Sequence, residues 1–233
     1  MRVAKSILSA LALGGTLLMS SCFDNLENTP LPPTAYVSIY QGSPDAPAMD
    51  IFANSNRVNR DPMEFTQVLG YSPFFPGVRD FRFAAVNSAS SLLEKEVDLK
   101  ADSVYSLFII NETVNLDAFL VKDIWEEPSA SQAQLRLVHL SPDTESVDLL
   151  ANEASTPLLE EASYKEVSDY LELSPGNTVL KIRSSQTGET LLTSGTLDLK
   201  GNRVYTLVIR GLSSEASGPK KLDIQLITNY IAY

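Results

Sequence analysis

The sequence predicts an all-β protein made of two tandem immunoglobulin-like, Greek-key β-sandwiches. Short segments alternate between apolar and polar residues, which is the period of a strand with one buried face. Turn residues separate these segments at intervals of about 8–12 residues, as in sandwich folds, and no segment keeps a helical period. One pattern of residues also occurs twice, so the 233 residues are best explained as two copies of one unit with about seven strands each.

The repeated pattern is a Ser-Pro-Asp turn followed by a second aspartate. The first copy has Ser43, Pro44, Asp45 and Asp50, and the second has Ser141, Pro142, Asp143 and Asp148 at the same spacing. Proline presets φ for a turn, and serine and aspartate side chains accept backbone hydrogen bonds there. The pattern therefore predicts a turn between the first two strands of each unit, with the second aspartate on a strand face and paired locally.

The strand before each Ser-Pro-Asp turn has a clear alternation. Val37 and Ile39 point inward in the first unit, as do Leu135 and Leu137 in the second, and Arg136 points outward. We therefore expect both strands to be half-buried, with one face in solvent.

A later strand in each unit opens with a tyrosine, Tyr105 and Tyr205. Each tyrosine follows a leucine and a polar turn, an order that resembles the tyrosine corner of Greek-key sandwiches. There the phenol makes a hydrogen bond with backbone a few residues upstream.

These features divide the chain into five segments. The prediction is a signal peptide (1–21), a tether (22–33), a first sandwich (34–124), a linker (125–133) and a second sandwich (134–233). Trp125 begins the linker. We expect this indole to pack where the sandwiches meet, because it buries a large area and has one donor to satisfy. The alternative is a platform on which a ligand stacks.

The N-terminal segment has the features of an export signal. Arg2 and Lys5 precede a short apolar run from Ile7 to Met19, which is the length of a signal core and too short for a membrane span. The residues from Leu18 to Cys22 resemble the lipobox of bacterial lipoproteins, in which the cysteine is acylated. This predicts an outer-membrane lipoprotein of the bacterial cell envelope, anchored to the membrane at Cys22. The alternative is a cleaved leader followed by one free thiol.

The charge of the chain limits its partners. The net charge is −11, and loss of the two basic residues in the leader makes it more negative. Such a surface repels phosphate backbones, so we expect no nucleic acid partner.

The second unit resembles a known bacterial family, domain of unknown function 4397. The resemblance is carried by Val138-His139-Leu140-Ser141-Pro142-Asp143, Val147-Asp148, the run from Val167 to Leu173, and Pro175-Gly176. The first unit is a weaker match, with Gln41 in the place of His139. The family implies a secreted or envelope β-sandwich, often in tandem and often lipid-anchored, for which no catalytic residues are established.

Few residues are candidates for chemistry. His139 is the only histidine, and its position on the inward face favours a hydrogen bond to the Ser-Pro-Asp turn over a catalytic role with Ser141 and Asp143. With one histidine and an acylated cysteine, a zinc site is not expected. The aspartate pairs, Asp45 with Asp50 and Asp143 with Asp148, could offer oxygens to calcium, but two carboxylates five residues apart do not specify such a site.

The sequence therefore favours a non-enzymatic envelope lipoprotein, without a cofactor, that binds or spaces a protein or a glycan. A second hypothesis is a carbohydrate-binding accessory protein or surface adhesin. Its candidate platform consists of aromatic residues near the linker and in the first unit: Tyr71, Phe74, Phe75 and Trp125. A hydrolase that uses paired carboxylates is a third, less supported hypothesis.

Overall fold

The computed structural model describes residues 32–232, and the all-β prediction is confirmed for them. The predicted signal peptide and Cys22 lie outside the described residues. Within residues 32–232, no helix is long and apolar enough to span a membrane. The chain from Pro33 onward forms one compact unit.

Two β-sandwiches follow one another in this unit. The first sandwich contains β1 (Ala35–Gln41), β2 (Met49–Ala53), β3 (Asn56–Arg57), β4 (Val68–Phe74), β5 (Gly77–Ala85), β6 (Ser91–Leu99), β7 (Val104–Ile110) and β8 (Asp117–Lys122), with one 3-10 turn at Thr113–Asn115. The second sandwich contains β9 (Ala133–His139), β10 (Val147–Ala151), β11 (Leu159–Ala162), β12 (Leu171–Leu173), β13 (Gly176–Thr178), β14 (Leu180–Ser184), β15 (Thr190–Thr193), β16 (Leu197–Leu199), β17 (Arg203–Arg210) and β18 (Asp223–Ile231). The sandwiches thus have eight and ten strands rather than about seven each.

Each sandwich pairs its first strand with two partners that are distant in sequence. The two sheets of the first sandwich have the orders β4-β1-β7-β8 and β3-β2-β5-β6. In the second sandwich the matching sheets are β12-β9-β17-β18 and β11-β10-β14-β15, with β13-β16 beside them. β1 is parallel to β7, and β9 is parallel to β17. The ends of these paired strands therefore lie at the same edge of each sheet.

The larger strand number of the second sandwich arises from two interruptions. One long strand of the first sandwich, β5, corresponds to β13 and β14, and β6 corresponds to β15 and β16. At this break the Ser194 hydroxyl accepts the backbone N–H of Leu180 at 2.8 Å, where a regular ladder would use a carbonyl. A side chain thus takes the place of one backbone partner.

Both sandwiches have apolar cores built from the inward residues of their two sheets. Val37 and Ile39 pack with Phe81 and Phe83 in the first, and Leu135 and Leu137 occupy the equivalent core in the second. Full burial of such side chains stabilises the fold by about 1.5–3 kcal/mol each. The inward assignments from the sequence are therefore confirmed.

The expectation of a solvent-exposed second face on the first strands is wrong. A third apolar cluster joins β1, β7 and β8 to β9, β17 and β18, and we call it the interface cluster. Its buried members are Tyr40, Phe108, Ile110, Val138, Leu140 and Val208. Arg136, expected to point into solvent, is 2% exposed on this same face. The two sandwiches therefore pack face to face, and the sheets that meet are covered on both sides.

Candidate functional site

The Ser-Pro-Asp turn of the first sandwich is joined to the segment that follows β7. Because β1 and β7 are parallel, both segments leave the sheet at the same edge. The carboxylate oxygen Oδ1 of Asp45 accepts the backbone N–H of Thr113 at 2.7 Å and its hydroxyl at 3.0 Å. The aspartate thus fixes the entry of the 3-10 turn.

The second copy makes the same connection with more hydrogen bonds. Asp143 accepts the backbone N–H of Ser213 at 2.8 Å and that of Ser214 at 2.9 Å, and the Ser214 hydroxyl at 2.7 Å. The Ser141 hydroxyl donates to the carbonyl of Gly211 at 2.7 Å. Partial burial by itself raises the pKa of Asp143, but the hydrogen bonds that Ser213 and Ser214 donate to its carboxylate outweigh this effect and lower the pKa below its usual value.

His139 and Gln41 occupy equivalent, fully buried positions before the two turns. The Nδ1 atom of His139 accepts the backbone N–H of Ser141 at 3.3 Å, and Oε1 of Gln41 accepts that of Ser43 at 2.8 Å. Nε2 of His139 lies 3.2 Å from the carbonyl oxygen of Glu145, to which it donates. Burial lowers the pKa of His139 and keeps the imidazole neutral. The histidine therefore acts as a turn acceptor that glutamine can replace.

The second aspartate of each copy has a separate set of partners. Asp50 pairs with Arg57, and Asp148 pairs with Arg183 at 2.8 Å and accepts the Ser185 hydroxyl at 2.6 Å. Within residues 32–232, no group of three or more metal-ligating side chains converges on one point. Each motif residue thus stabilises its own turn or strand pair.

Tyr105 and Tyr205 make equivalent hydrogen bonds at the start of β7 and β17. Each phenol oxygen accepts a backbone N–H five residues upstream, from Lys100 at 3.1 Å and from Lys200 at 3.0 Å. The contact has the form of a tyrosine corner with the phenol as acceptor.

A buried ion pair lies between the two sandwiches and was not predicted. Nη1 of Arg136 donates to Oδ1 of Asp123 at 2.6 Å, and the two side chains are 2% and 0% exposed. Arg136 also donates to the hydroxyls of Ser106 at 2.9 Å and Thr206 at 2.9 Å. The guanidinium thus joins a residue of the first sandwich to one of the second. The available signal was an arginine between the two apolar residues Leu135 and Leu137.

Two further residues, Tyr71 and Asn229, extend the hydrogen bonds around Asp123. The Tyr71 hydroxyl donates to Oδ2 of Asp123 at 2.6 Å and accepts Nδ2 of Asn229 at 3.1 Å. The Thr206 hydroxyl donates to Asn229 at 2.6 Å. We call Tyr71, Ser106, Asp123, Arg136, Thr206 and Asn229 the central network. Its charges are paired and hydrogen-bonded, as a buried ion pair requires.

Trp125 packs among aromatic rings at one end of the central network. Its ring centroid lies 6.3 Å from that of Tyr71, 6.1 Å from that of Tyr170 and 5.7 Å from that of Tyr230. Tyr71 and Tyr170 are the equivalent tyrosines of the two sandwiches. The indole of Trp125 thus contacts tyrosines of both sandwiches.

The four aromatic residues of the candidate ligand platform have different surroundings. Tyr71 and Trp125 belong to the contact between the sandwiches. Phe74 packs against Phe81 in the first core with ring centroids 5.6 Å apart, and Phe75 is 70% exposed. Phe74 therefore packs toward the core of the first sandwich, and Phe75 is the most exposed of the four.

A family model confirms what the repeated motif suggested. The model of "Domain of unknown function (DUF4397)" matches residues 35–150 and residues 136–230. The chain belongs to the DUF4397 family. The two matches cover both sandwiches of this DUF4397 protein, including the first, whose motif has Gln41 in place of histidine. None of the curated proteins compared with the chain matches it significantly.

Proposed function

We propose that this DUF4397 protein is a non-enzymatic lipoprotein of the bacterial cell envelope, in which two sandwiches form one binding or spacing module. The observation that carries the proposal is the use made of the repeated motif. His139, Ser141 and Asp143 have the chemistry for catalysis, but His139 is hydrogen-bonded to the backbone of its own turn, and Ser141 and Asp143 are hydrogen-bonded to the segment after β17. A catalytic histidine needs a free nitrogen toward its nucleophile, and both nitrogens of His139 have backbone partners.

The interface between the sandwiches supports a module that acts as one body. The interface cluster and the central network bury apolar and charged groups from both copies. Transient contacts between domains are usually more polar and leave the domains free to move. A rigid pair of sandwiches holds the loops of both copies at fixed positions, which suits recognition of a protein or a glycan.

The N-terminal sequence supports the membrane anchor. A basic start, a short apolar run and Ser20-Ser21-Cys22 are the features of a lipoprotein signal, and Cys22 is the single cysteine. Acylation at that residue places the module at a membrane of the envelope, and the acidic surface argues against nucleic acid as a partner.

Acyl labelling of Cys22 variants tests this proposal. Cells that express the full chain are grown with an alkyne analogue of palmitate, and the protein is followed in membrane and aqueous fractions. The native chain and Ser21→Ala, which keeps a small residue before the cysteine, should be labelled and sediment with membranes. Cys22→Ala should lose the label and leave the membrane fraction. A Cys22→Ala protein that stays labelled or membrane-bound contradicts the anchor.

A further inference from the structure

A cleft of about 460 Å³ lies between the two sandwiches, at the edge where the Ser-Pro-Asp turns leave their sheets. The first sandwich contributes Glu64, Phe65 and Thr66 to its walls, and the second contributes Arg210 and Lys220. Ligand pockets of small molecules have volumes of about 300–1,000 Å³, so the cleft has room for one or two sugar rings.

At the equivalent place on the other side of the interface, which we call the closed side, a side-chain hydrogen bond joins the two sandwiches. Tyr164 stands where the first sandwich has Phe65, since Thr66 and Lys165 make the same backbone hydrogen bond to Gln41 and His139. The Tyr164 hydroxyl donates to Asn111. Phe65 has no hydroxyl to bridge the gap. The interface is therefore bridged by a hydrogen bond on the side of Tyr164. On the side of Phe65 it has a cleft, and we call this the open side.

Both sides carry a cation near an aromatic ring, but the cations come from different elements. On the open side it is Arg210 of β17, and on the closed side it is Lys165, which lies near Tyr164 and Asp117. Arg210 pairs with Asp223 in β18 at the position where Ile110 pairs with Asp117 in β8. Its Nη2 donates to Asp223 at 3.1 Å, and its guanidinium carbon lies 5.6 Å from the centroid of the Phe65 ring. The exposed fraction of its side chain is 16%. The guanidinium is thus held in place against an aromatic wall.

Several hydrogen-bond donors around the cleft have no acceptor in the described part of the chain. Nε of Arg210 is buried without a partner. Nε2 of Gln41 and the hydroxyl of Ser43 are also buried without one, in the segment that precedes Pro44 of the cleft wall, whereas the equivalent His139 and Ser141 are bonded. Buried donors without acceptors are costly, and here they cluster beside the open side.

Lys220 is fixed beside Arg210 by its backbone. Its carbonyl accepts the N–H of Leu212 at 2.8 Å, and Gly211, at φ +84°, lets the two segments approach so closely that a Cβ there would lie 2.6 Å from that carbonyl oxygen. Among residues 32–232, no carboxylate forms an ion pair with the Lys220 ammonium group. The cleft walls therefore hold two cations, Arg210, which is paired with Asp223, and Lys220, together with the carboxylate of Glu64.

We propose that this cleft binds an acidic saccharide through the carboxylate of a uronate residue. Arg210 and Lys220 face the carboxylate, since a guanidinium and an ammonium group are the side chains that pair best with it. Phe65 packs against the apolar face of the sugar ring, and Glu64 and Thr66 lie within the same walls to bond its hydroxyls. The inference deepens the binding role proposed above and does not depend on the lipid anchor.

Titration with two matched disaccharides tests the site. The full chain with Cys22→Ala is titrated with digalacturonate and with neutral galactobiose, followed by ligand-observed NMR. Digalacturonate should bind about tenfold or more tightly than galactobiose, and its affinity should fall as salt is raised. Because Cys22→Ala is present throughout, the result is independent of acylation.

Variants distinguish the cleft from general surface charge. Lys220→Gln and Phe65→Ala should each weaken digalacturonate binding by about five- to tenfold, while Lys200→Gln, an exposed lysine outside the cleft, should leave it unchanged. Equal affinity for both disaccharides, no binding of digalacturonate, or equal losses in Lys220→Gln and Lys200→Gln would each overturn the proposal. Binding of acetate as tight as that of digalacturonate would overturn its saccharide part.

Discussion

The two sandwiches meet through equivalent positions, but at two of these positions the two copies have different residues. Ser106 and Thr206 match, as do Tyr71 and Tyr170. Arg136, however, stands opposite Thr206 at the register position that Ser38 holds opposite Ser106 in the first sandwich. In the same way, Asp123 follows the last residue of β8, at the place that Asn229 has in β18.

This difference shows how a duplicated surface becomes specific. Two identical copies would meet with the same neutral groups on both sides. In the central network the first sandwich supplies the anion, Asp123, and the second supplies the cation, Arg136, so the two surfaces are complementary in charge. A pair of charges at one buried place disfavours first-with-first and second-with-second pairing, because like charges would then be buried together.

The strongest test of this comparison is to make the two sides alike. Arg136→Ser installs the residue of the first sandwich and leaves Asp123 buried without its cation. We expect the free energy of unfolding to fall by about 3–5 kcal/mol. Urea denaturation followed by far-UV circular dichroism and by the emission of Trp125 measures this loss.

A second substitution separates the ion pair from simple packing. Adding Asp123→Asn to Arg136→Ser gives the neutral pair that the equivalent positions already hold, and it should restore more than half of the lost free energy. A double variant no more stable than Arg136→Ser would show that the charge on Asp123 is not the cause.

A smaller effect is expected from the paired tyrosines. Tyr71→Phe removes the hydroxyl that donates to Asp123, and we expect a loss of about 2 kcal/mol because the acceptor is charged. The Tyr170 hydroxyl is buried near Thr206 without a hydrogen bond of good geometry. Tyr170→Phe should therefore change the free energy of unfolding by less than about 0.5 kcal/mol. Equal losses in the two variants, measured by urea denaturation, would contradict the asymmetry of the network.

The smallest effect concerns pH. Burial lowers the pKa of His139 in the folded chain, while in the unfolded chain it stays near its usual 6.5. The unfolded state therefore takes up the proton first. The stability associated with the neutral imidazole is present above pH 6.5 and is lost as the pH falls below that value.

His139→Gln installs the residue that the first sandwich uses at this position. It should change stability at pH 7.5 by less than about 1 kcal/mol and flatten its dependence on pH between about 7 and 5. Denaturation at three pH values measures both effects. Gln41→His is the matched control and should create the same dependence in the first turn. Parallel pH profiles for the native chain and His139→Gln would exclude this role of the histidine.

Sequence patterns predicted much of the fold and only part of the site. The alternation of Leu135 and Leu137 identified the inner face of β9, but a period of two does not show what covers the outer face. The sequence therefore predicts that Arg136 faces solvent. Only the three-dimensional packing places Asp123 against it, because the two residues belong to different sandwiches.

The contacts of the turns show the same limit. Ser-Pro-Asp predicted both turns, and the inward position of His139 predicted its bond to the turn. The partners of Asp45 and Asp143 lie in segments that follow β7 and β17, and only the parallel pairing with β1 and β9 brings them near. The inter-sandwich cleft is lined by both copies, so no local pattern in either one predicts it.

The parallel pairing of β1 with β7 has a consequence for how the chain folds. β1 lies inside its sheet, yet its parallel neighbour is made more than 60 residues later. Contacts between such distant segments close large loops and slow folding. When the chain emerges N-terminus first, β1 keeps an unpaired edge until β7 arrives, and β9 waits in the same way for β17. Until these edges are paired they need protection from other chains, since unpaired strands are templates for aggregation.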